Sequence, residues 1–151
     1  MMAKMETKQK ALEATNLRAS ESFMAKVSKE KGVKKLADGL YYKVLILGHG
    51  PMPTANDSVT VNYEGKLING KIFDSSYQRK QTATFQVNKV IPGWTQALEK
   101  MPQGSTWELY ISPKLAYGEM APPSIGPNQA LTFKVDLIKV VPATEKKNKM
   151  S

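Results

Sequence analysis

Residues 58–76, SVTVNYEGKLINGKIFDSS, decide the fold of this chain. The first seven alternate polar and apolar side chains, which is the pattern of a strand with one buried face. Val59, Val61 and Tyr63 share that face. The stretch therefore predicts a strand that packs one face against a core and leaves the other face more exposed to solvent.

A turn signal follows this strand. Asn69 and Gly70 form the residue pair that a tight two-residue hairpin favours, because both residues tolerate positive φ. Residues 66–68 and 71–74 should therefore pair on either side of the turn, which makes the local arrangement antiparallel.

The period of two recurs on both sides of this hairpin. Further strands are predicted over residues 40–47, 82–87, 105–112 and 131–140. In the last two, the inward positions are Trp107, Leu109, Ile111, Leu131, Phe133, Val135 and Leu137. One short helix over residues 94–101 follows Pro92-Gly93 and ends before Pro102. The predicted fold class is α+β, with a curled antiparallel sheet over one short helix.

A long helix precedes this domain. Residues 3–31 contain no Pro or Gly and are rich in strong helix formers, and Gly32 supplies a stop. Its apolar stripe is thin and consists of Leu12, Ala19, Phe23 and Val27, with Leu17 and Met24 beside it. We expect a helix over residues 1–33, a folded domain over 34–142 and a basic disordered tail over 143–151. The helix could serve as a spacer, a docking arm or half of a homodimer contact.

The composition excludes several chemistries. The chain has no cysteine and one histidine, His49, so disulfides, thiolate nucleophiles and Cys- or His-cluster metal sites are excluded. No apolar run approaches a membrane span, and the first residues lack the apolar stretch of a signal peptide. We expect a chain without a membrane span or export signal, or else the mature part of a longer exported protein.

The net charge of +9 raises the question of nucleic-acid binding. The net charge is +5 over residues 1–35, +2 over 36–140 and +2 from 141 onward. Because the excess lies on the two ends, a solvated helix face and a frayed tail explain it, and no specific nucleic-acid partner is expected. Phosphate or anionic-membrane binding through these ends is the alternative.

The stretch from Tyr63 to Ser76 resembles the signature of FKBP-type peptidyl-prolyl cis/trans isomerases. The likeness continues, in the family's order, through VIPGW at 90–94, LAYG at 115–118 and LTF at 131–133, and it covers roughly residues 36–140. IPGWTQAL followed by MPQGSTWE is most similar to the macrophage infectivity potentiator (Mip) branch, which also carries a long helix before the domain.

The resemblance implies a half-barrel wrapped around the short helix and an isomerase that assists protein folding. Rotation about an amide makes and breaks no covalent bond, so no metal or other cofactor is expected. Proline-containing unfolded or flexible proteins are the implied substrates, and rapamycin-type macrolides the implied inhibitors. A chaperone-like binding module with little catalysis is the alternative. The Mip branch points to the periplasm or cell surface, with the cytoplasm as the alternative.

The resemblance also implies the site residues. The pocket would be lined by Tyr63, Phe73, Asp74, Arg79, Phe85, Val90, Ile91, Trp94, Tyr117, Ile125 and Phe133. Catalytic roles would fall to Asp74, Tyr117, Phe73 and Tyr63. Trp94 would form the floor under the proline ring. The Tyr117 hydroxyl and the Ile91 N–H would bind the substrate carbonyl. Without the motif, these aromatic residues would be interpreted as ordinary core.

The chain departs from the family pattern at two places. Ala83 replaces a pocket wall that is aromatic in many members, and the loop 119–128 is about one residue shorter than in the best-known single-domain members. These departures affect sequence preference and macrolide affinity. His49 lies between two glycines, so we expect an exposed turn residue outside the pocket.

Overall fold

The computed structural model describes residues 2–117 and 125–142, with only the backbone described for residues 2–10. The helices are α1 (Met2–Ser28), α2 (Ser76–Arg79) and α3 (Pro92–Leu98). The strands are β1 (Val33–Ala37), β2 (Leu40–Ile46), β3 (Ser58–Lys66), β4 (Ile72–Ser75), β5 (Ala83–Gln86), β6 (Thr106–Ile111) and β7 (Leu131–Val141). Short 3₁₀ turns occupy Val87–Lys89 and Pro113–Leu115. The predicted tail lies outside the described residues.

All seven strands belong to one antiparallel sheet, in the order β1-β2-β6-β7-β3-β4. One edge of β3 is shared, since β4 pairs with residues 64–66 and β5 pairs with residues 58–61. The buried residues of α3 belong to the same core cluster as the inward residues of β3, β6 and β7. The α+β prediction, with an antiparallel sheet over one short helix, is confirmed.

The alternating patterns are confirmed where one strand face is buried. Val59, Val61 and Tyr63 are buried on the inner face of β3. The predicted inward residues of β6 and β7 are buried as well. Burying an apolar side chain of this size stabilises the fold by roughly 1.5–3 kcal/mol, and a slip of one residue would expose the whole row. The hydrophobic pattern therefore fixes the register.

The prediction of a two-residue hairpin turn is correct in position and wrong in length. Leu67 donates its N–H to the Lys71 carbonyl at 2.9 Å, and Gly70 donates to the Leu67 carbonyl at 2.9 Å. Three residues therefore connect the flanking pair, and Gly70 takes the left-handed conformation with φ at +88°. A glycine in that conformation suits a three-residue loop as well as it suits the shorter one. The register shifts between Gly65 and Lys66.

Two short elements were not predicted from the sequence. β1 pairs with β2 across Asp38-Gly39, where Gly39 has φ at +78°. Asp-Gly is a hairpin signal that would have revealed this pairing. The other element is α2, whose N-cap is Ser75; the Ser75 hydroxyl accepts from the Gln78 N–H at 3.3 Å. A serine N-cap of this kind is a standard helix start.

The end of α1 nearer the domain packs on the outer face of the sheet. Met24 and Val27 form a second small core with Tyr110 and Ala130. The buried Ser20 hydroxyl donates to the Asn128 carbonyl and accepts from the Ala130 N–H, both at 2.7 Å. Only the C-terminal part of the predicted apolar stripe therefore packs in this small core.

The rest of the stripe faces solvent. Leu12 is 46% exposed and Leu17 is 40% exposed. In the described part of the chain, no helix combines the length and the hydropathy needed to cross a bilayer. Exposed apolar side chains such as those of Leu12 and Leu17 favour association.

Candidate functional site

A cavity of about 300 Å³ lies between α3 and the inner face of the sheet. Its lining consists of Tyr63, Phe73, Asp74, Phe85, Lys89, Val90, Ile91, Trp94, Tyr117 and Phe133. β3, β4, β5 and β7 supply the aromatic walls, and the turn before α3 supplies three consecutive residues. A concave, mostly apolar site with few polar groups is typical of small-ligand or side-chain recognition.

Trp94 lies at the centre of the aromatic cluster. Its ring meets those of Tyr63, Phe85 and Phe133 edge-on, with centroid distances of 5.4, 5.6 and 5.3 Å. Such edge-to-face pairs each contribute roughly 0.5–1.5 kcal/mol beyond burial. Three surrounding rings therefore hold the indole in one orientation within the cavity lining.

A glycine allows the two phenyl walls to meet. Phe73 and Phe133 pack edge to face at 5.6 Å. A Cβ atom added to Gly65 would lie 2.6 Å from Phe73 Cζ and 2.7 Å from Phe133 Cε1, which is closer than non-bonded carbons approach. Glycine is therefore required at position 65 for the walls to take this geometry.

The polar side of the cavity is a three-member network. The Tyr63 hydroxyl donates to Asp74 Oδ2 at 2.5 Å, and Arg79 Nη2 donates to the Tyr63 hydroxyl oxygen at 2.9 Å. Arg79 Nη1 also pairs with Asp74 Oδ1, and its guanidinium lies 5.7 Å from the Tyr63 ring centroid. The network fixes the edge of the Tyr63 ring that closes the cavity.

The network also controls ionisation. Burial opposes the charged form of Asp74, but hydrogen bonds from Tyr63 and Arg79, together with the Arg79 charge, lower its pKa below the ordinary value. Burial and the hydrogen bond to Asp74 raise the Tyr63 pKa, which Arg79 only partly offsets. Asp74 is therefore a carboxylate and Tyr63 a neutral phenol at neutral pH.

Several hydrogen-bond donors at the cavity have no partner in the described part of the chain, among them the indole N–H of Trp94 and two groups that could meet a substrate carbonyl. The Ile91 N–H precedes α3 and makes no hydrogen bond there, and neither does the Tyr117 hydroxyl. Tyr117 is 39% exposed, and burial and the Asp74 charge raise its pKa. It therefore keeps its proton and can donate it in a hydrogen bond.

The cavity brings together the predicted site residues except Arg79 and Ile125. Arg79 reaches the site through Asp74 and Tyr63, whereas Ile125 is buried in the core and is absent from the lining. Ala83 packs against the core and does not line the cavity. Of the loop 119–128, residues 119–124 lie outside the described residues.

Sequence reasoning missed Lys89 as a lining residue. The signal was its place directly before Val90, but a lysine is not expected in an apolar pocket. His49 is exposed and lies outside the cavity, as predicted. The described residues contain no group of three or more His, Asp or Glu side chains that could hold a metal ion.

The fold and the cavity together define a class of protein: a small α+β domain whose curled sheet and short helix enclose an aromatic pocket beside a carboxylate network. Comparison with family models agrees with this class. The model for FKBP-type peptidyl-prolyl cis-trans isomerase matches residues 50–138. The model for the domain amino terminal to FKBP-type peptidyl-prolyl isomerase matches residues 1–44.

Individual relatives agree as well. The chain is 57% identical over 126 residues to peptidyl-prolyl cis-trans isomerase Mip of Coxiella burnetii, covering 83% of this chain and 55% of that protein. It is 45% identical over 130 residues to FKBP-type peptidyl-prolyl cis-trans isomerase FkpA of Escherichia coli K12, covering 86% and 48%. The chain thus spans about half the length of the curated relatives it matches.

Two solved structures share the architecture. FkpA from Escherichia coli matches with a TM-score of 0.88 at 43% identity, over 91% of this chain and 65% of that chain. A peptidyl-prolyl cis-trans isomerase from Pseudomonas syringae pv. tomato matches with a TM-score of 0.80 at 43% identity, over 85% and 95%. The chain belongs to the FKBP-type peptidyl-prolyl cis/trans isomerase family, and the resemblance to its Mip branch is confirmed.

Proposed function

We propose that this protein catalyses cis/trans isomerisation of Xaa-Pro bonds in unfolded or flexible proteins, by a non-covalent mechanism in the aromatic cavity. The observation that carries the proposal is the indole of Trp94, held edge-on by three aromatic rings inside a cavity of about 300 Å³. A pyrrolidine ring is small, rigid and apolar, and it fits a site of this size and character.

The chemistry needs a surface that favours a twisted amide. Resonance holds the amide planar with a barrier of ~18–20 kcal/mol, and uncatalysed Xaa-Pro isomerisation takes roughly 10–100 s. A twisted amide has lost part of its resonance, so its nitrogen and carbonyl are less polarised than in the planar form. A site with apolar walls accepts that state more readily than water does, and tighter binding of the twisted state raises kcat.

Anchors must hold the substrate while the bond rotates. In this proposal the Tyr117 hydroxyl and the Ile91 N–H donate to substrate carbonyls, which is supported by their freedom from hydrogen bonds in the described part of the chain. Phe73 and Tyr63 confine the proline ring. Asp74, held by Arg79 and Tyr63, places a negative charge beside the rotating carbonyl.

An isomerisation assay tests the proposal. A short Xaa-Pro-Phe peptide is followed with and without rapamycin, using wild type, Asp74→Ala and the control Asp38→Ala. Asp38 forms an exposed ion pair with Lys35 at 2.9 Å, so its removal also breaks an ion pair but leaves the cavity intact. We expect turnover that the macrolide blocks and that only Asp74→Ala weakens. A folded wild type without turnover would refute the proposal.

A second candidate function is binding of apolar segments as a chaperone-like module with little catalysis. The observation that favours it is a second groove of about 590 Å³, where α1 meets the domain. Leu17, Met24 and Ala25 line it from the helix, and Tyr41 and Pro113 line it from the domain. Exposed apolar surface of this kind is a common attachment site.

Leu17→Ser separates the two functions, because this side chain lines the groove and does not line the aromatic cavity. Leu12→Ser is the matched control, since Leu12 is equally exposed on α1 and is not part of the groove. The chaperone hypothesis expects Leu17→Ser alone to lose suppression of aggregation of an unfolded protein, with peptide turnover unchanged. Removing all of α1 would be a poorer test because it would uncover Tyr110.

We also propose that α1 contributes to a homodimer. Its support is the exposure of the apolar side chains of Leu12 and Leu17 on α1. Sedimentation equilibrium of wild type and Leu12→Ser tests this role. A monomer at all concentrations would refute it.

For location, we propose the periplasm or the cell surface. The support is a relative from Legionella longbeachae, named outer membrane protein MIP, that is 45% identical over 126 residues. Fractionation of the native cells with antibody to this chain tests it, and recovery in the cytoplasmic fraction alone would contradict it.

A further inference from the structure

Among the described residues, the rim of the cavity carries more positive than negative charge. Asp74 and Lys89 are the charged residues among those that line it. The Asp74 carboxylate is met by Arg79 and Tyr63. The Lys89 ammonium has no ion pair or hydrogen bond to the residues described with side chains, 11–117 and 125–142, and its side chain is exposed. Counting Arg79, the described rim carries one net positive charge.

The backbone that carries Lys89 is firmly held. Lys89 ends the 3₁₀ turn Val87–Lys89, whose first residue is buried and donates its N–H to the Asp57 carbonyl at 2.9 Å. The Val87 carbonyl accepts from the Thr95 hydroxyl at 2.7 Å, which ties the turn to α3. These hydrogen bonds fix the backbone of Lys89 at the rim, from which its exposed side chain extends.

We propose that Lys89 is a specificity-determining residue that favours substrates with an acidic residue next to the target Xaa-Pro bond. The inference rests on the proposed isomerase function. A substrate seated with its proline on Trp94 must cross the rim in an extended form, which advances about 3.3 Å per residue. The flexible four-carbon stem of a lysine lets its ammonium reach the neighbouring substrate side chain.

The expected size of the preference follows from exposure. Ion pairs at solvent-exposed sites are weak, so an acidic neighbour should raise kcat/KM by about two- to five-fold over its neutral isostere. The preference should shrink with salt, since the Debye length falls from about 10 Å at 0.1 M to about 3 Å at 1 M. A purely structural role for Lys89 would give neither a charge-dependent nor a salt-dependent ratio.

Two peptide pairs test the proposal. One pair carries Glu or Gln directly before the proline, and the other carries Glu or Gln directly after it. Each Glu/Gln ratio is measured as kcat/KM and as Kd by isothermal titration, at low and high salt. The proteins are wild type, Lys89→Gln, Lys89→Glu and the control Lys34→Gln, which removes an exposed charge from β1 at the far edge of the sheet.

The expected result is a ratio above two in at least one pair for wild type and Lys34→Gln, near one for Lys89→Gln, and below one for Lys89→Glu. A wild-type ratio of one in both pairs, or a preference that survives in Lys89→Gln, would overturn the inference. A retained Glu preference in Kd without turnover of any peptide would contradict the isomerase function and support the role of Lys89. Turnover of the peptides with Glu/Gln ratios of one would support the isomerase function and contradict the role of Lys89.

Discussion

Replacing Trp94 with phenylalanine tests whether the buried indole is the floor of the cavity or only part of the core. The chain supplies a matched control in Trp107. Trp94 is 4% exposed and Trp107 is 5% exposed, and neither indole N–H has a hydrogen-bond partner in the described part of the chain. Trp107 stacks on Tyr42 at 4.4 Å and does not line the cavity.

The two substitutions should have similar effects on stability. Each removes the pyrrole part of an indole, about two CH₂ equivalents at ~0.8 kcal/mol each, or ~1.6 kcal/mol. Each also removes a buried N–H without a partner, which relieves about 1–3 kcal/mol. The free energy of unfolding should therefore change by less than about 2 kcal/mol in both variants. Alanine at either position would cost roughly 3–5 kcal/mol and obscure the comparison.

The effect on activity should differ. In Trp94→Phe the bound proline ring also loses contact with the pyrrole part, and the same ~1.6 kcal/mol lowers kcat/KM by up to about fifteen-fold. Trp107→Phe should leave kcat/KM within two-fold of wild type. Peptide isomerisation gives kcat/KM, and urea unfolding followed by circular dichroism gives stability. Equal kcat/KM in the two folded variants would refute the assignment of Trp94 as the floor.

Three further predictions follow from the geometry. Gly65→Ala should lower kcat/KM at least ten-fold and destabilise by about 1–3 kcal/mol, because the new Cβ forces apart the two phenyl walls. Gly70→Ala, where no atom lies within 4 Å but φ is +88°, should destabilise by about 1–2 kcal/mol through backbone strain and spare activity. Val27→Ala should lower the free energy of unfolding by about 1–2 kcal/mol in urea titration with kcat/KM unchanged, whereas Leu12→Ala should stay within about 0.5 kcal/mol of wild type. The lowered pKa of Asp74 means that its stabilising contribution, no more than about 1 kcal/mol for a half-exposed pair, is present above the ordinary pKa of 3.8 and is lost as pH falls through the lower folded value. The difference in unfolding free energy between wild type and Asp74→Asn should therefore vanish at strongly acidic pH, and a constant difference would contradict the assignment.

The parts of the fold that could be predicted are those in which burial acts on one face of a strand. The alternation at 58–64 fixed β3 because every second side chain had to enter the core. β1 was not predicted because VKKLA exposes its two lysines and shows no alternating apolar face. The hairpin loop was predicted one residue too short because an Asn-Gly pair serves loops of both lengths. The local sequence thus predicts the position of this turn correctly but does not determine the length of its loop.

The prediction of the site residues depended on the resemblance to the FKBP-type family. From pattern alone, Tyr63 and Phe133 are core residues on inward strand positions, and the structure shows that they are core residues and cavity walls at once. That reasoning placed neither Lys89 nor Ile125 correctly. Whether a residue beside a motif lines a cavity depends on backbone path, which holds Lys89 at the rim and places Ile125 in the core. For Lys89 the order of residues offers only its place directly before Val90, and for Ile125 it offers no signal.

The sheet separates α1 from the aromatic cavity. Along β6, Leu109 and Ile111 face the inner core, while Tyr110 faces outward to meet α1. Adjacent side chains on a strand point to opposite faces, so the seat of α1 and the aromatic cavity share backbone but no side chain. The packing of Val27 bears on β6, which is paired with β2 on one side and with β7 on the other. This is why Val27→Ala should reduce stability without changing kcat/KM, and a loss of turnover in a folded Val27→Ala protein would show that the sheet transmits strain between its faces.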